Sequence, residues 1–253
     1  IKKIIYRILF LYWRNHLTGV LAIGHKAPEW FVARGMKRNR VYPFAYFLKK
    51  PRISNYLSPS FKKNIKRPFR FIFVGQLINR KRVDLLIKAI AALKLKEIEF
   101  WIVGNGSEEE RLRSLANKLL PKKVFWLGVI PIKKIPNVIH QADCLVLPSR
   151  FDGWGAVVTE ALMVGTPVVC SDKCGSSVIV EASGVGSVFS TYKQKALIDS
   201  LNDQYEKGFV SSKHRQKIIK WSRCLGASLG AKYLESILNF KNSNVNLIKL
   251  PWN

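Results

Sequence analysis

The chain has 253 residues, of which 48% are hydrophobic, enough for one large domain or for one domain and part of another. Its 43 Lys and Arg residues outnumber 16 acidic ones, and the formal net charge of +27 favours anionic partners such as lipid headgroups, nucleic acid or a diphosphate-linked substrate. The sequence predicts no transmembrane helix, no disulfide framework and no metal site, because it has no apolar run of ~20 residues, no CxxC pair and no ligand spacing among its histidines.

The first part of the chain is strongly basic and only weakly patterned. Residues 1–70 contain 17 basic residues and a single acid, Glu29. Apolar residues at helical spacing predict an amphipathic helix at the start of the chain, which we expect to bind an anionic membrane surface. The predicted elements are a helix over 1–13, a strand over 20–23, a short helix over 28–34 and an extended segment over 41–47. Residues 49–68, rich in Pro, Ser and Lys, are predicted to be a linker.

A regular alternation of strands and helices follows the predicted linker. Strands are predicted over 69–75, 98–103, 124–127, 144–147, 167–170 and 186–189. Helices are predicted over 83–93, from Ser107 with Glu110 completing a capping box, and over 133–141, 156–164, 193–206, 212–225 and 227–239. Continuous apolar strands in this alternation indicate an α/β fold, a Rossmann-like parallel sheet with helices on both faces. The predicted domains are residues 1–48, the remnant of a first domain, and residues 69–240, followed by a tail over 241–253.

In such sheets ligands bind beyond the carboxyl ends of the strands, so the residues after each strand are the candidate site. After the first strand of the regular part come Gly75 and Gln76, and then Arg80 and Lys81 at the start of a helix. Two cations near a helix start suit a diphosphate. A solvated helix start with no ligand is an equally good interpretation of these residues taken alone.

Two further strand ends carry weaker signals. Gly104 opens a Gly-Asn-Gly turn, which fits either close approach of a ligand or a tight turn without one. Val129 and Ile130 follow another strand, where their backbone groups are candidates to pair with a flat base.

The most informative segment joins Asp152 to Glu160 through Gly153, Trp154 and Gly155. A carboxylate on a helix accepts hydrogen bonds from ribose hydroxyls in dinucleotide-binding folds, the role expected of Glu160. Asp152, on the preceding loop, is expected to hold sugar hydroxyls. The alternative is that Asp152 caps the helix and that Glu160 is a surface residue.

The ordered segments FVGQLINRKRVDLLIKA, FWIVGNGSEEERL, VFWLGVIP, ADCLVLPSRFDGWGAVVTEALMVGTPVVCSD and GAKYLESIL resemble retaining glycosyltransferases of the group 1 family, which have the two-domain GT-B fold. The resemblance covers residues 70–240, the donor-binding domain. Residues 20–47 resemble the end of the first domain of that family, of which at most about 50 residues are present.

The resemblance implies a role for each matching position. Lys81 would hold the donor diphosphate, Glu160 the ribose, and the loop Gly153–Gly155 would face the sugar and phosphates. Transfer would retain the anomeric configuration without a metal, by stabilising charge on the leaving diphosphate, with Asp152, Lys81 and Arg80 as the catalytic residues. Three positions depart from the family pattern: Gln76 where Arg is common, Arg82 where Gly is common, and Asp152 where Glu is common.

The sequence therefore predicts a glycosyltransferase that uses a UDP- or GDP-sugar and a glycan or lipid-linked acceptor, in cell-surface polysaccharide or glycolipid synthesis. We expect it to be cytoplasmic, at the inner face of the membrane, and to need a more complete first domain. One alternative is a truncated module that binds the nucleotide-sugar and transfers nothing. A nucleic-acid-binding protein, argued from charge alone, is a weaker alternative because no recognition motif accompanies the charge.

Overall fold

The computed structural model describes residues 2–53, 67–191, 193–239 and 249–253. Most of the predicted linker and of the predicted tail therefore lies outside the described residues. The elements form a small parallel sheet with two helices near the start of the chain and a larger parallel sheet with helices on both faces.

The element bounds follow the predicted alternation closely. The strands are β1 (Val20–Ile23), β2 (Val41–Phe44), β3 (Phe69–Val74), β4 (Ile98–Val103), β5 (Val124–Gly128), β6 (Cys144–Leu147), β7 (Val168–Ser171) and β8 (Gly186–Phe189). The helices are α1 (Lys2–Trp13), α2 (Ala27–Val32), α3 (Val83–Ala92), α4 (Glu109–Leu119), α5 (Ile135–His140), α6 (Ala156–Met163), α7 (Ser177–Ser183), α8 (Gln194–Glu206), α9 (Ser212–Trp221) and α10 (Ala227–Asn239).

The larger sheet has the strand order β5-β4-β3-β6-β7-β8, and every described pair in it is parallel. This confirms the predicted Rossmann-like fold. Strands β6 and β7 are buried along their whole length because helices cover both faces of the sheet, which explains their unbroken apolar sequences. The order reverses between β3 and β6, and a crevice opens at such a reversal beyond the carboxyl ends of the strands.

Two details of the helix prediction are wrong. Ser107 and Glu110 do not form a capping box: α4 begins at Glu109, and its N-cap residue Glu108 makes no side-chain cap. Instead the backbone N–H of Glu108 donates to the carbonyl of Leu77 at 2.9 Å, so a neighbouring loop satisfies this helix start. Helix α7 was not predicted, because its sequence is short, β-branched and rich in serine.

The end of the chain returns to the first part. Leu48 pairs with Gly226, since the Leu48 N–H donates to the Leu225 carbonyl and the Ala227 N–H donates to the Leu48 carbonyl, each at 3.0 Å. The Tyr233 hydroxyl of α10 donates to the Pro43 carbonyl at 2.9 Å. Trp252, only 4% exposed, packs against Phe47 and Tyr233. The first part of the chain is thus held against the larger unit by both backbone and aromatic contacts.

Among the helices of the described residues, none combines the length and the apolar character that a bilayer crossing requires.

Candidate functional site

The loops after β3 and β6 meet where the strand order reverses. The Lys81 ammonium, in a 3-10 turn that follows β3, lies 2.5 Å from the Asp152 carboxylate on the loop after β6. Both side chains are mostly buried, 14% and 13% exposed. The structure therefore brings together two residues that are 71 positions apart in sequence. This ion pair marks the point in the fold where ligands of doubly wound sheets bind.

Backbone hydrogen bonds fix the Asp152 loop. The Asp152 N–H donates to the Lys173 carbonyl at 3.1 Å, and the Gly175 N–H donates to the Asp152 carbonyl at 2.9 Å. On the side chain, Lys81 and the Ser149 hydroxyl, the latter at 3.5 Å, both approach Oδ2. Among the described residues none hydrogen-bonds Oδ1, which leaves that oxygen able to accept a hydrogen bond from a ligand.

Arg80 supports the same loop from the other side. Its guanidinium donates to the Phe151 carbonyl at 2.6 Å, and its own carbonyl accepts from the Arg150 N–H at 2.8 Å. The Arg80 side chain is otherwise exposed. A second positive charge therefore stands beside the Lys81–Asp152 pair, in contact with solvent.

The three loops at the ends of β3, β4 and β5 are joined through their backbones. The Gly75 N–H donates to Val103 at 3.0 Å, the Leu77 N–H to Asn105 at 2.7 Å, and the Gly104 N–H to Gly128 at 2.7 Å. A Cβ on Gly104 would lie 2.0 Å from the Gly75 carbonyl oxygen. Close loop packing alone thus accounts for glycine at position 104. Because the amides of Gly75 and Gly104 donate within the protein, they are not available to a ligand.

Helix α6, which follows the Asp152 loop, carries Glu160. Its N-cap residue is Gly155, in a left-handed conformation, so Asp152 does not cap the helix. Glu160 is half-buried, and burial raises the pKa of its carboxyl above the usual value. Among the described residues none hydrogen-bonds this carboxylate. An unpaired, partly desolvated acid is a suitable acceptor for a pair of ligand hydroxyls.

A family model described as "Glycosyl transferases group 1" matches residues 58–223, more than half of the chain. The chain belongs to the group 1 glycosyl transferase family.

Individual relatives agree with this family, and the three described next are each considerably longer than this chain. A glycogen synthase of Thermodesulfovibrio yellowstonii is 30% identical over 132 residues, which is 51% of this chain and 26% of that protein. A solved lipopolysaccharide outer core galactosyltransferase, WaaB, superposes with a TM-score of 0.75 at 21% identity, over 87% of this chain and 61% of that one. Anabaena HepE, solved with UDP and glucose, superposes with a TM-score of 0.73 at 17% identity, over 92% of this chain and 66% of that one.

At such identities the solved structures show that this group 1 chain shares their fold and nothing more. The chain spans about a quarter of the glycogen synthase and less than two thirds of WaaB and HepE.

The structure shows where four of the predicted donor-binding residues of this group 1 chain lie. The Trp154 side chain is buried: it is 2% exposed, and its indole N–H donates to the Thr159 hydroxyl at 3.0 Å. An indole is large and apolar enough to anchor the loop in the core, and only the backbone of Trp154 is left for a ligand. Ile130 packs against the core, whereas the Val129 side chain is 68% exposed. Gln76 is exposed beside the site.

The first part of the chain contributes residues that were not predicted from the sequence. Gly24, His25 and Lys26, directly after β1, line a cavity of about 260 Å³ together with Asp152 and Gly153. The His25 N–H donates to the Gly175 carbonyl at 3.2 Å, and its Nδ1 lies 3.3 Å from the Ser177 hydroxyl. These residues follow a strand, so the rule applied to the larger sheet would have found them had it been applied to β1.

In the described part of the chain, no group of three or more His, Cys, Asp or Glu side chains is arranged to hold a metal ion.

Proposed function

We propose that this group 1 family member transfers a sugar, with retention of anomeric configuration, from a UDP- or GDP-sugar to a glycan or lipid-linked acceptor. The observation that carries the proposal is the Lys81–Asp152 pair at the reversal of the strand order, with Glu160 on the helix after it. Its support from similar proteins is that HepE was solved with UDP and glucose. UDP and GDP share the diphosphate and the ribose, which are the groups that these residues are suited to hold.

The proposed roles follow from charge and geometry. The bond between the anomeric carbon and the donor diphosphate breaks, an acceptor hydroxyl oxygen bonds to that carbon, and the hydroxyl proton passes to the leaving diphosphate. Negative charge grows on the diphosphate as the bond breaks, and Lys81 and Arg80 stabilise it from fixed positions. Oδ1 of Asp152 orients a hydroxyl of the donor sugar, while Glu160 accepts hydrogen bonds from the ribose.

The first test is nucleotide binding to the full chain, measured by calorimetry with UDP and GDP. We expect Glu160→Ala and Lys81→Ala to weaken binding by about tenfold or more, the effect of losing a charge-assisted hydrogen bond. Glu206→Ala and Lys88→Ala, which remove exposed groups of the same kind on α8 and α3, are the matched controls and leave the affinity unchanged. Equal affinities in all five proteins contradict the site.

The second test separates a transferase from a module that only binds. Donor hydrolysis is followed with UDP-sugars and GDP-sugars, in the presence and absence of EDTA. We expect turnover that EDTA leaves unchanged, because the proposed mechanism stabilises the leaving group with cationic side chains. Binding without turnover favours the non-catalytic module, and loss of turnover with EDTA overturns the metal-free mechanism.

We further propose that the protein acts in the cytoplasm at an anionic membrane surface, in the synthesis of a surface polysaccharide or glycolipid. Helix α1 supports this, since Ile4, Ile8 and Tyr12 are 64%, 61% and 68% exposed. The basic residues of the first 70 positions complement acidic lipid headgroups.

Vesicle flotation tests the membrane proposal. We expect recovery with vesicles that contain phosphatidylserine, and less recovery with neutral vesicles. Ile8→Glu lowers recovery, whereas Leu238→Glu, at a similarly exposed position of α10, leaves it unchanged. Equal recovery with both vesicle types, or none with either, contradicts the proposal.

A further inference from the structure

A cavity of about 260 Å³ lies between the first part of the chain and the larger unit. Its walls come from the segment around α2 and from the loops after β6 and β7. The side chains that give it chemical character are His25, Lys26, Trp30, Phe151, Asp152 and Lys173. The cavity is smaller than the ~300–1,000 Å³ of pockets for drug-sized ligands, so its size suits a single sugar ring.

The cavity begins where the proposed nucleotide site ends. Asp152 and Gly153 belong to its lining, but Lys81 and Glu160 do not. A ligand in the cavity would therefore lie next to the carboxylate proposed to orient the donor sugar. Transfer with retention requires the acceptor hydroxyl to reach the anomeric carbon on the face that carries the diphosphate, so the acceptor must lie beside the donor sugar, as this cavity does.

Positive charge is concentrated on one wall of the cavity. Lys26 and Lys173 both line the cavity, and the contact with the Lys173 side chain is the main cause that lowers the pKa of Lys26. Lys173 also lies 3.1 Å from the Asp172 carboxylate, which in addition accepts hydrogen bonds from Thr191. Asp172 therefore acts on both lysines while it also accepts from Thr191. A ligand anion at this wall would relieve their mutual repulsion.

Aromatic rings form another part of the lining. Trp30 and Phe151 are 42% and 64% exposed, large fractions for aromatic side chains. The Arg34 guanidinium stacks on the Trp30 ring at 3.6 Å and helps to hold it in place. Such rings pack well against the C–H faces of a sugar. His25 adds a polar edge, because burial and the charge of Lys26 lower its pKa and keep the imidazole neutral near pH 7.

We infer that this cavity is the acceptor subsite and that the acceptor is an acidic sugar. Its ring packs against Trp30 and Phe151, and its carboxylate or phosphate pairs with Lys26 and Lys173. This inference rests on the proposed function, since it assumes a donor beside Asp152.

Binding of simple methyl glycosides to the full chain tests the inference. Methyl glucuronide, methyl glucoside 6-phosphate, neutral methyl glucoside and inorganic phosphate are titrated with and without saturating UDP. We expect each charged glycoside to bind about tenfold or more tightly than the neutral one, as for one charge-assisted contact. The charged glycoside with the higher affinity shows whether the cavity prefers a carboxylate or a phosphate.

Variants assign the preference to particular residues. Lys26→Met brings the ratio of charged to neutral affinity close to one, and Lys26→Arg keeps it high. Trp30→Ala weakens all three glycosides alike but leaves the affinity for inorganic phosphate unchanged. The control variant Lys193→Met removes an exposed lysine outside the cavity and leaves the affinities for the glycosides and for phosphate unchanged. UDP affinity stays the same in every variant.

Several results would overturn the inference. One is equal affinity for charged and neutral glycosides, and another is a preference that Lys26→Met leaves intact. Inorganic phosphate that binds as tightly as the sugar phosphate would indicate an anion site without sugar recognition. Competition of the glycosides with UDP-glucose but not with UDP would make the cavity part of the donor site. A failure of UDP itself to bind contradicts the proposed function instead, and the titrations without UDP still test the cavity.

Discussion

The two parts of the molecule bury their apolar residues to very different extents. In the larger unit a continuous core runs through both faces of the sheet and includes Phe71, Leu86 and Val146, all 0% exposed. In the first part, the separate described core consists of Ala22, Met36 and Val41, with partly buried neighbours. The larger unit therefore has the core of an independent domain. The first part owes its position to contacts with that domain, and the cavity between them exists only where the two meet.

This comparison predicts that the largest loss of donor hydrolysis comes from a substitution within the larger unit. Lys81→Met removes the cation proposed to face the leaving diphosphate, and we expect donor hydrolysis to fall about 100-fold or more, as when one fixed electrostatic contact is lost. Rates at saturating donor measure the effect. Lys88→Met on the exposed face of α3 serves as the control. A loss below about fivefold, far short of the effect of a fixed electrostatic contact, would mean that Lys81 pairs with Asp152 for structural reasons only.

Glycine substitutions test whether the two parts unfold together. In Gly104→Ala the new Cβ would lie 2.0 Å from the Gly75 carbonyl, at a φ of +124°, and we expect unfolding to become easier by about 2 kcal/mol or more. In Gly24→Ala the Cβ would lie 2.7 Å from the Gly153 carbonyl, at a φ of +94°.

Gly24→Ala is expected to separate the parts rather than to unfold the domain. The midpoint of thermal unfolding of the larger unit should be the same as in the unsubstituted protein, while protease cleavage within residues 2–53 becomes faster. Gly208→Ala, with a φ of +72° and open space around the Cβ, controls for backbone strain alone. A large fall in the main unfolding midpoint of Gly24→Ala would contradict the view that the larger unit is independent.

The fold of the larger unit was predictable because strands and helices alternate regularly and because its central strands β6 and β7, buried on both faces, carry unbroken apolar sequences. The strand-end rule then pointed correctly to Lys81 and Asp152 as neighbours, since it depends only on topology. It did not predict that the Trp154 side chain is buried in the core. The direction of a side chain on a loop depends on the packing around it, which the topology does not determine. The cavity was also missed, because its lining joins Lys26 and Lys173, which no local pattern connects.

A smaller effect is expected on the pH dependence of UDP binding. Burial raises the Glu160 pKa, and the ribose hydroxyls need the ionised carboxylate, so UDP affinity should fall by about tenfold as the pH drops through this raised pKa. Glu160→Gln should bind UDP more weakly at neutral pH and show no such fall. Calorimetry over a pH series measures both.

The stability of the protein without UDP should depend on pH in the opposite direction to the UDP affinity. A carboxyl whose pKa is higher in the folded than in the unfolded chain favours folding when it is protonated. The free energy of unfolding should therefore decrease, relative to Glu160→Gln, as the pH rises from the unfolded pKa through the folded one. Denaturant unfolding over that range checks the sign, and an increase would mean that an opposite charge stabilises the ionised form.

The smallest effect concerns the contact between α10 and the first part. Tyr233→Phe removes the hydrogen bond to the Pro43 carbonyl and should make unfolding easier by about 1 kcal/mol. Donor hydrolysis should not change, because the hydroxyl lies outside the site. A drop in turnover would show that α10 positions the first part for catalysis.

The close approach of Gly24 to Gly153 and Gly175 has a consequence for how such a protein can diversify. The contact is made by main-chain atoms, so it does not depend on which side chains surround it. Residues such as Lys26 and Lys173 can be exchanged by mutation while the spacing of the walls stays constant. Under the proposed function, the same framework can therefore acquire a new acceptor preference through one or two substitutions, without a new fold and without loss of the proposed donor site.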